Sequence, residues 1–353
     1  MSQESAGRPS GRLRGRGVNY DTGFINKGMS SRPGFDPAIV RRELEIIRDD
    51  LHCNAVRLTG GDIHNLETAA GIAAELGLEV WLSPFTCDLN EEEMLALLAD
   101  CARIGERLRR EGAEVVLVTG AEISLLNKGF LPGEDLGERI KLLADLPRLR
   151  ELIPAVPPAV NRFLARAVEV VRADFGGKVT YASMPFEGVD WTRFDIIGLD
   201  SYRTVEFAAQ YREAMRAFVA QAGGKPVAIT EFGSASYRGA GDRGARAMEI
   251  IVWDPEQVKP LGLDGDYIRD EEEQAHYLEE LLEIYAEAGI DSAFVFTFVQ
   301  DQLPYRPEAR QDLDMASGAL VKVYEDRSGE TYRDMRWEPK AAFWTVANFY
   351  GQR

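Results

Sequence analysis

The chain has 353 residues, 45% hydrophobic and 28% charged, a globular composition with room for a large core in one domain or two. Its 41 Lys and Arg against 58 Asp and Glu give a net charge of -17, which repels phosphate backbones and anionic lipid surfaces and so argues against nucleic acid or membrane as partner. No apolar run approaches the roughly 18 residues of a membrane span. The three cysteines, Cys53, Cys87 and Cys101, show no paired spacing, so neither a disulfide framework nor a zinc site is expected, and they read as small core residues of a reducing cytosol.

Residues 1–15 are basic and rich in Gly, Ser and Pro, without the apolar segment of a secretory signal, and read as a flexible tail ahead of one domain over 16–353. The first β-type run follows at 17–20 (GVNY), then an amphipathic helix over 37–50. Next come a run at 55–58 (AVRL), a helix over 65–76, a run at 80–83 (VWLS), a helix over 91–111 and a run at 115–119 (VVLVT). The second half continues with runs at 179–183 (VTYAS), 196–199 (IIGL), 227–230 (VAIT) and 293–298 (AFVFTF), a helix over 271–288, and a closing helix expected over 337–350. Eight apolar, non-alternating runs interleaved with helices predict a parallel sheet covered on both faces, and hence a (β/α)8 TIM barrel. The competing doubly wound sheet is disfavoured because no Gly-rich phosphate loop follows the first run, where Asp21, Thr22 and Gly23 stand. The connections after the fourth and seventh strands, at 125–158 and 233–270, are longer than a barrel needs and are expected to shape a site.

In a barrel, residues just past each strand face the active site. These are Asn19, Tyr20 and Asp21; Arg57; Phe85 and Asp88; Glu122; Ser183 and Met184; Asp200 and Tyr202; Glu231; Asp301 and Gln302. Glu122 and Glu231 stand out, since each ends an apolar strand, and a carboxylate pair at two strand tips is the minimum equipment for glycoside hydrolysis. His52, His64 and His276 are scattered and show no metal-ligand spacing, so no metal and no nucleotide cofactor is expected.

GVNY, NAVRL, LGLEVWLSP, the Glu after the fourth strand, DIIGLDSY, PVAITEFG and WEPKAAF together resemble the clan A glycoside hydrolases, retaining (β/α)8-barrel enzymes. The resemblance implies that Glu231 is the nucleophile and Glu122 the acid/base. It also implies that Tyr202 donates a hydrogen bond to Glu231, and Arg57 at the second strand tip is placed to hold that carboxylate ionised. Asn19, Tyr20, Asp21, Asp200, Phe298 and Asp301 complete the expected substrate-binding set.

Two positions depart from the clan pattern. Ala121 stands where many members carry the Asn that meets the substrate 2-hydroxyl, and Phe298, Val299 and Gln300 stand where a tryptophan commonly floors the sugar site. Stacking is then expected from Phe298 or from Trp191 or Trp253. The expected activity is retaining glycoside hydrolysis, or transglycosylation if the long loops exclude water, on a small glycoside or related metabolite. The alternatives are a biosynthetic enzyme using the carboxylate pair for acid/base chemistry on a non-sugar metabolite, and a non-catalytic sugar-binding or phage-defence protein on the same barrel. Composition leaves the oligomeric state open.

Overall fold

The computed structural model describes residues 11–352 except 255 and 257; the first ten residues of the expected tail lie outside the described residues. Eight parallel strands form one sheet: β1 (Gly15–Asp21), β2 (Ala55–Gly60), β3 (Glu79–Pro84), β4 (Val115–Ala121), β5 (Lys178–Ala182), β6 (Ile197–Asp200), β7 (Val227–Phe232) and β8 (Ser292–Val295). Their order is β5-β4-β3-β2-β1-β8-β7-β6. A parallel bridge between Ser183 and Leu199 brings the two ends together and closes the barrel. At this seam a Cβ on Gly198 would stand 2.2 Å from the Tyr181 carbonyl oxygen, so only glycine lets the two backbones meet.

All eight expected strands are present, and the strands are buried along most of their length. That is the pattern of a parallel sheet covered outside by helices and filled inside by side chains. Ala55, Trp81, Val116, Val118, Ala182, Ala228 and Phe294 belong to one interior cluster, with the Trp81 and Phe294 rings 4.6 Å apart.

The outer helices are α1 (Pro37–Asp49), α2 (Ile63–Glu75), α3 (Glu91–Arg110), α4 (Val156–Asp174), α5 (Val205–Gln221), α6 (Glu271–Ala288) and α7 (Ala341–Gly351). Local sequence sets their ends. Asp36 caps α1 ahead of Pro37, Asn90 and Glu93 form a capping box on α3, and Gly289 takes the left-handed conformation that ends α6. Among the described residues no helix is long and apolar enough to cross a membrane.

Four expectations need correction. The fifth connection carries two short 3-10 turns, Pro185–Glu187 and Trp191–Arg193, in place of an α-helix. The eighth strand ends at Val295 instead of Phe298. The segment expected as one closing helix begins as a strand, Trp337–Pro339, paired with Val321–Val323, before α7 starts at Ala341. The end of the expected tail is part of the fold: Leu13 is buried, and Arg14 bonds to Glu79 and Asp291 beneath the barrel.

Beyond the two long connections read from sequence there is a third, residues 296–340 after β8. It packs on the connection after β7 through a satellite core that includes Tyr237, Ile250, Leu263, Leu313 and Met315. A buried ion cluster locks the two together: Arg269 reaches Asp312 at 2.7 Å and Asp314 at 2.9 Å, and Lys340 stands 3.2 Å from Asp314.

Candidate active site

Both strand-tip glutamates follow irregularities in the ladder. The register of β4 against β5 shifts between Val118 and Ala121, where Gly120 has φ 127°, and Glu122 itself has φ 45°. The register of β7 shifts against both neighbours at the level of Thr230 and Glu231. An extra residue near the end of a strand bends it and re-aims the next side chain, so each glutamate stands on a backbone already turned.

Glu231 is 4% exposed and held at both oxygens. Arg57 Nη1 donates to Oε1 at 2.7 Å and Tyr202 OH donates to Oε2 at 3.1 Å. Arg57 is itself fixed: Nε donates to Ser83 Oγ at 3.1 Å, and Nη1 also donates to Asn19 Oδ1 and the Thr230 carbonyl, each at 3.1 Å. Asn19 in turn donates to the Thr230 carbonyl at 3.0 Å. Asp200 accepts from Thr230 Oγ1 at 2.7 Å and lies 4.0 Å from Arg57.

Arg57, Asn19 and Asp200 are thus a buried layer beneath Glu231. The side chains of Arg57 and Asp200 have no exposure, and Asn19 is equally enclosed. The expected contact of Asn19 and Asp200 with substrate is therefore corrected: both side chains are enclosed against Arg57 and Thr230. Burial, with the charge of Glu231 added, pushes the Asp200 carboxyl well above its ordinary range against the pull of Arg57. Burial and the same neighbouring charge raise the Tyr202 hydroxyl, which stays a donor.

Glu122 has the opposite setting. Its carboxyl is pushed well above the ordinary range, first by burial and then by the charges of Asp200, Glu231 and Glu187, against the pull of Arg57. Its turn, Ile123–Leu126, is pinned from below by a residue that the sequence reading missed. Glu187 is wholly buried and accepts from Ser124 N at 3.1 Å, Ser124 Oγ at 2.7 Å, Tyr181 OH at 2.9 Å and Met184 N at 3.0 Å. Tyr181 OH also accepts from Ile123 N at 2.9 Å. Glu187 ends a short 3-10 turn and carries no periodic signal, so only its contacts reveal it.

The remaining expected residues divide. Tyr20 is wholly buried and its hydroxyl bonds to Glu43 of α1 at 2.5 Å. Side chains alternate along a strand, so with Asn19 inward Tyr20 points outward, and its expected role at the site is corrected. Phe298 is likewise buried, packed on Trp337 and Tyr20, and is no platform for a ligand. The aromatic beside Tyr202 is instead Phe296, half-buried and edge-on to its ring with centroids 6.5 Å apart. Trp191 lies near the start of β7, where Lys225 binds its carbonyl at 2.6 Å, at the barrel end away from the glutamates. Trp253 sits on the hairpin Ile251–Asp254 with Lys259–Leu263.

Asp21 accepts from Gly23 N at 2.9 Å and from Ser31, which organises the turn after β1. Asp301 pairs with Arg32 at 3.2 Å and keeps a third of its side chain exposed. Burial lifts its carboxyl to about 6 against the pull of Arg32. These two form a rim cluster with Arg32 and Glu43, apart from the glutamate pair.

No protein-family model matches the chain, and no curated protein matches it. Solved structures do. A GH113 β-1,4-mannanase aligns over 97% of this chain and 100% of its own, at 16% identity and a TM-score of 0.57. The β-glucuronidase of Parabacteroides merdae aligns over 97% of this chain at 15% identity and a TM-score of 0.59, and this chain spans only 38% of that one. Thermotoga maritima Cel5A aligns over 87% of this chain and 97% of its own, at 13% identity and a TM-score of 0.50. At such identities the likeness establishes the fold: the chain is a sequence-divergent (β/α)8 barrel whose structural neighbours are glycoside hydrolases, in agreement with the resemblance to clan A.

Proposed function

We propose that the protein is a retaining glycosidase acting on a small glycoside, with Glu231 as nucleophile and Glu122 as acid/base. The observation that carries this reading is the asymmetry of the pair: Glu231 rests on a guanidinium and a phenol, while Glu122 is desolvated among other carboxyls. A carboxylate held by two donors is placed to attack, and a buried carboxyl raised above its ordinary range is placed to give a proton.

In the first step a Glu231 oxygen bonds to the anomeric carbon as the bond to the leaving oxygen breaks, and that oxygen takes the proton of Glu122. In the second, Glu122 takes a proton from water, whose oxygen bonds to the anomeric carbon and releases Glu231. Arg57, Asn19 and Ser83 hold Glu231 in place, so the layer beneath it acts as a support for the nucleophile.

A second reading, acid/base chemistry on a non-sugar metabolite, is favoured by Ala121, a buried methyl at the position where many clan members offer an amide to the 2-hydroxyl. Release of nitrophenol from a panel of aryl α- and β-glycosides tests both. Turnover by the wild type that is lost in Glu231→Gln supports the glycosidase. Silence from a folded wild-type protein favours the second reading.

A further inference from the structure

We infer that the leaving-group side of the cleft is a shelf of Phe24, Phe85 and Met184 that takes an apolar, flat aglycone or acceptor, an aryl or arylalkyl alcohol in preference to a second sugar; this rests on the glycosidase reading above. Phe85 directly follows β3. Its ring packs both on the barrel-interior cluster that contains Ala121 and on the loop cluster of Cys87, Leu125, Leu126 and Leu136. It therefore roofs the barrel between the residue before Glu122 and the residue three after it. Phe24, from the loop after β1, lies against Phe85 with centroids 5.2 Å apart. Met184, from the loop after β5, packs on the same loop cluster. All three are only partly buried, so apolar surface from three loops is left facing solvent beside the acid.

The chemistry of the pair says which part of a substrate meets that surface. Glu122 must reach the leaving oxygen within hydrogen-bond distance, so whatever that oxygen carries extends over the Glu122 side of the mouth, away from Tyr202 and Phe296. Rings and a thioether gain most from contact with a wholly apolar group, whereas a second sugar offers them only its carbon-bound face and keeps its hydroxyls toward water.

The shelf is also held in place. Arg139, wholly buried, donates to the carbonyls of Leu125 at 2.6 Å, Leu126 at 2.9 Å and Gly133 at 3.0 Å, and pairs with Asp88. Lys27 pairs with Asp135 at 2.9 Å, which ties the hairpin after Phe24 to the insertion after β4. A surface fixed in this way presents its apolar face without first having to order it.

Glycosyl fluorides separate this inference from the reading on which it rests, because fluoride does not reach the shelf. A panel of α- and β-glycosyl fluorides is offered to the whole protein with benzyl alcohol and the methyl glycoside of the same sugar at equal concentration. The transfer step is balanced: the acceptor oxygen bonds to the anomeric carbon, its proton passes to Glu122, and the bond to Glu231 breaks.

We expect benzyl alcohol to capture about ten times more glycosyl than the sugar acceptor, the size of discrimination a small apolar contact gives. Phe85→Ala, and separately Met184→Ala, should bring that ratio down toward one. Because the ratio is internal, a partly unfolded variant cannot mimic the effect. Fluoride turnover with equal capture of both acceptors, or with a ratio unmoved in both variants, overturns the shelf and leaves the glycosidase standing. No turnover of any fluoride overturns both.

Discussion

Arg57 Nη1 donates to Glu231 Oε1 at 2.7 Å although 174 residues separate them, and the arginine has no exposed side-chain surface. The barrel joins the middle of β2 to the end of β7 through the Asn19 side chain of β1. Enclosed from solvent, the guanidinium is the cation paired with the Glu231 carboxylate.

Removing that charge should be severe. Arg57→Met leaves Glu231 and Asp200 buried without a cation, a change that costs about 3–5 kcal/mol when one partner of a buried pair is lost. Urea unfolding of wild type and variant reads the cost directly, and a difference below about 1 kcal/mol would show that the pair does not carry this load.

Glu122→Gln should slow turnover of glycosides with poor leaving groups by roughly 10²–10⁴, the range for a lost general acid. Activated dinitrophenyl glycosides, whose leaving oxygen needs no proton, should be affected far less. Equal losses with both classes would remove the acid role from Glu122.

The pH profile follows from the raised carboxyl of Glu122. An acid raised above its ordinary range keeps its proton to higher pH, so kcat/KM should persist beyond the usual carboxylate range and fall as the pH rises through the raised value. Glu187 contributes to that rise by its charge. In Glu187→Gln the falling limb should therefore move to lower pH, whereas a merely structural loss would scale the profile without moving it. Ser124→Ala removes one of the hydrogen bonds to Glu187 while keeping the charge, and should leave the limb in place.

The same sign governs stability. Glu122, Asp200 and Glu187 are each raised, chiefly by burial, and hold protons more tightly folded than unfolded. Their contribution is present in full below the unfolded carboxyl range and is lost as the pH rises through the raised values. Neutralising the first two together in Glu122→Gln/Asp200→Asn should reduce the fall of the urea midpoint between acid and neutral pH; an unchanged slope would contradict the burial argument.

Gly233, next but one after Glu231, has no room for a side chain, since a Cβ would stand 2.4 Å from the Phe296 carbonyl oxygen. Gly233→Ala should cost about 1–3 kcal/mol as an overpacked backbone contact and displace Phe296 from Tyr202. A thermal melt within error of wild type would show that the two loops yield more easily than their packing suggests.

Local sequence determined the barrel and the two glutamates at its rim, because apolar runs, helix periods and strand ends are properties of short segments. Strand alternation also held the information that Tyr20 turns away once Asn19 turns in. Tertiary structure alone decided the rest. It closed β5 on β6 at Gly198, left the fifth connection without an α-helix, and sank Arg57, Asn19 and Asp200 beneath Glu231. It placed Phe296 instead of Phe298 beside Tyr202, and set Glu187 under the turn of Glu122. Each depends on which distant strands and loops meet, where a one-residue register shift re-aims a side chain, and no window of the sequence contains both partners of such a contact.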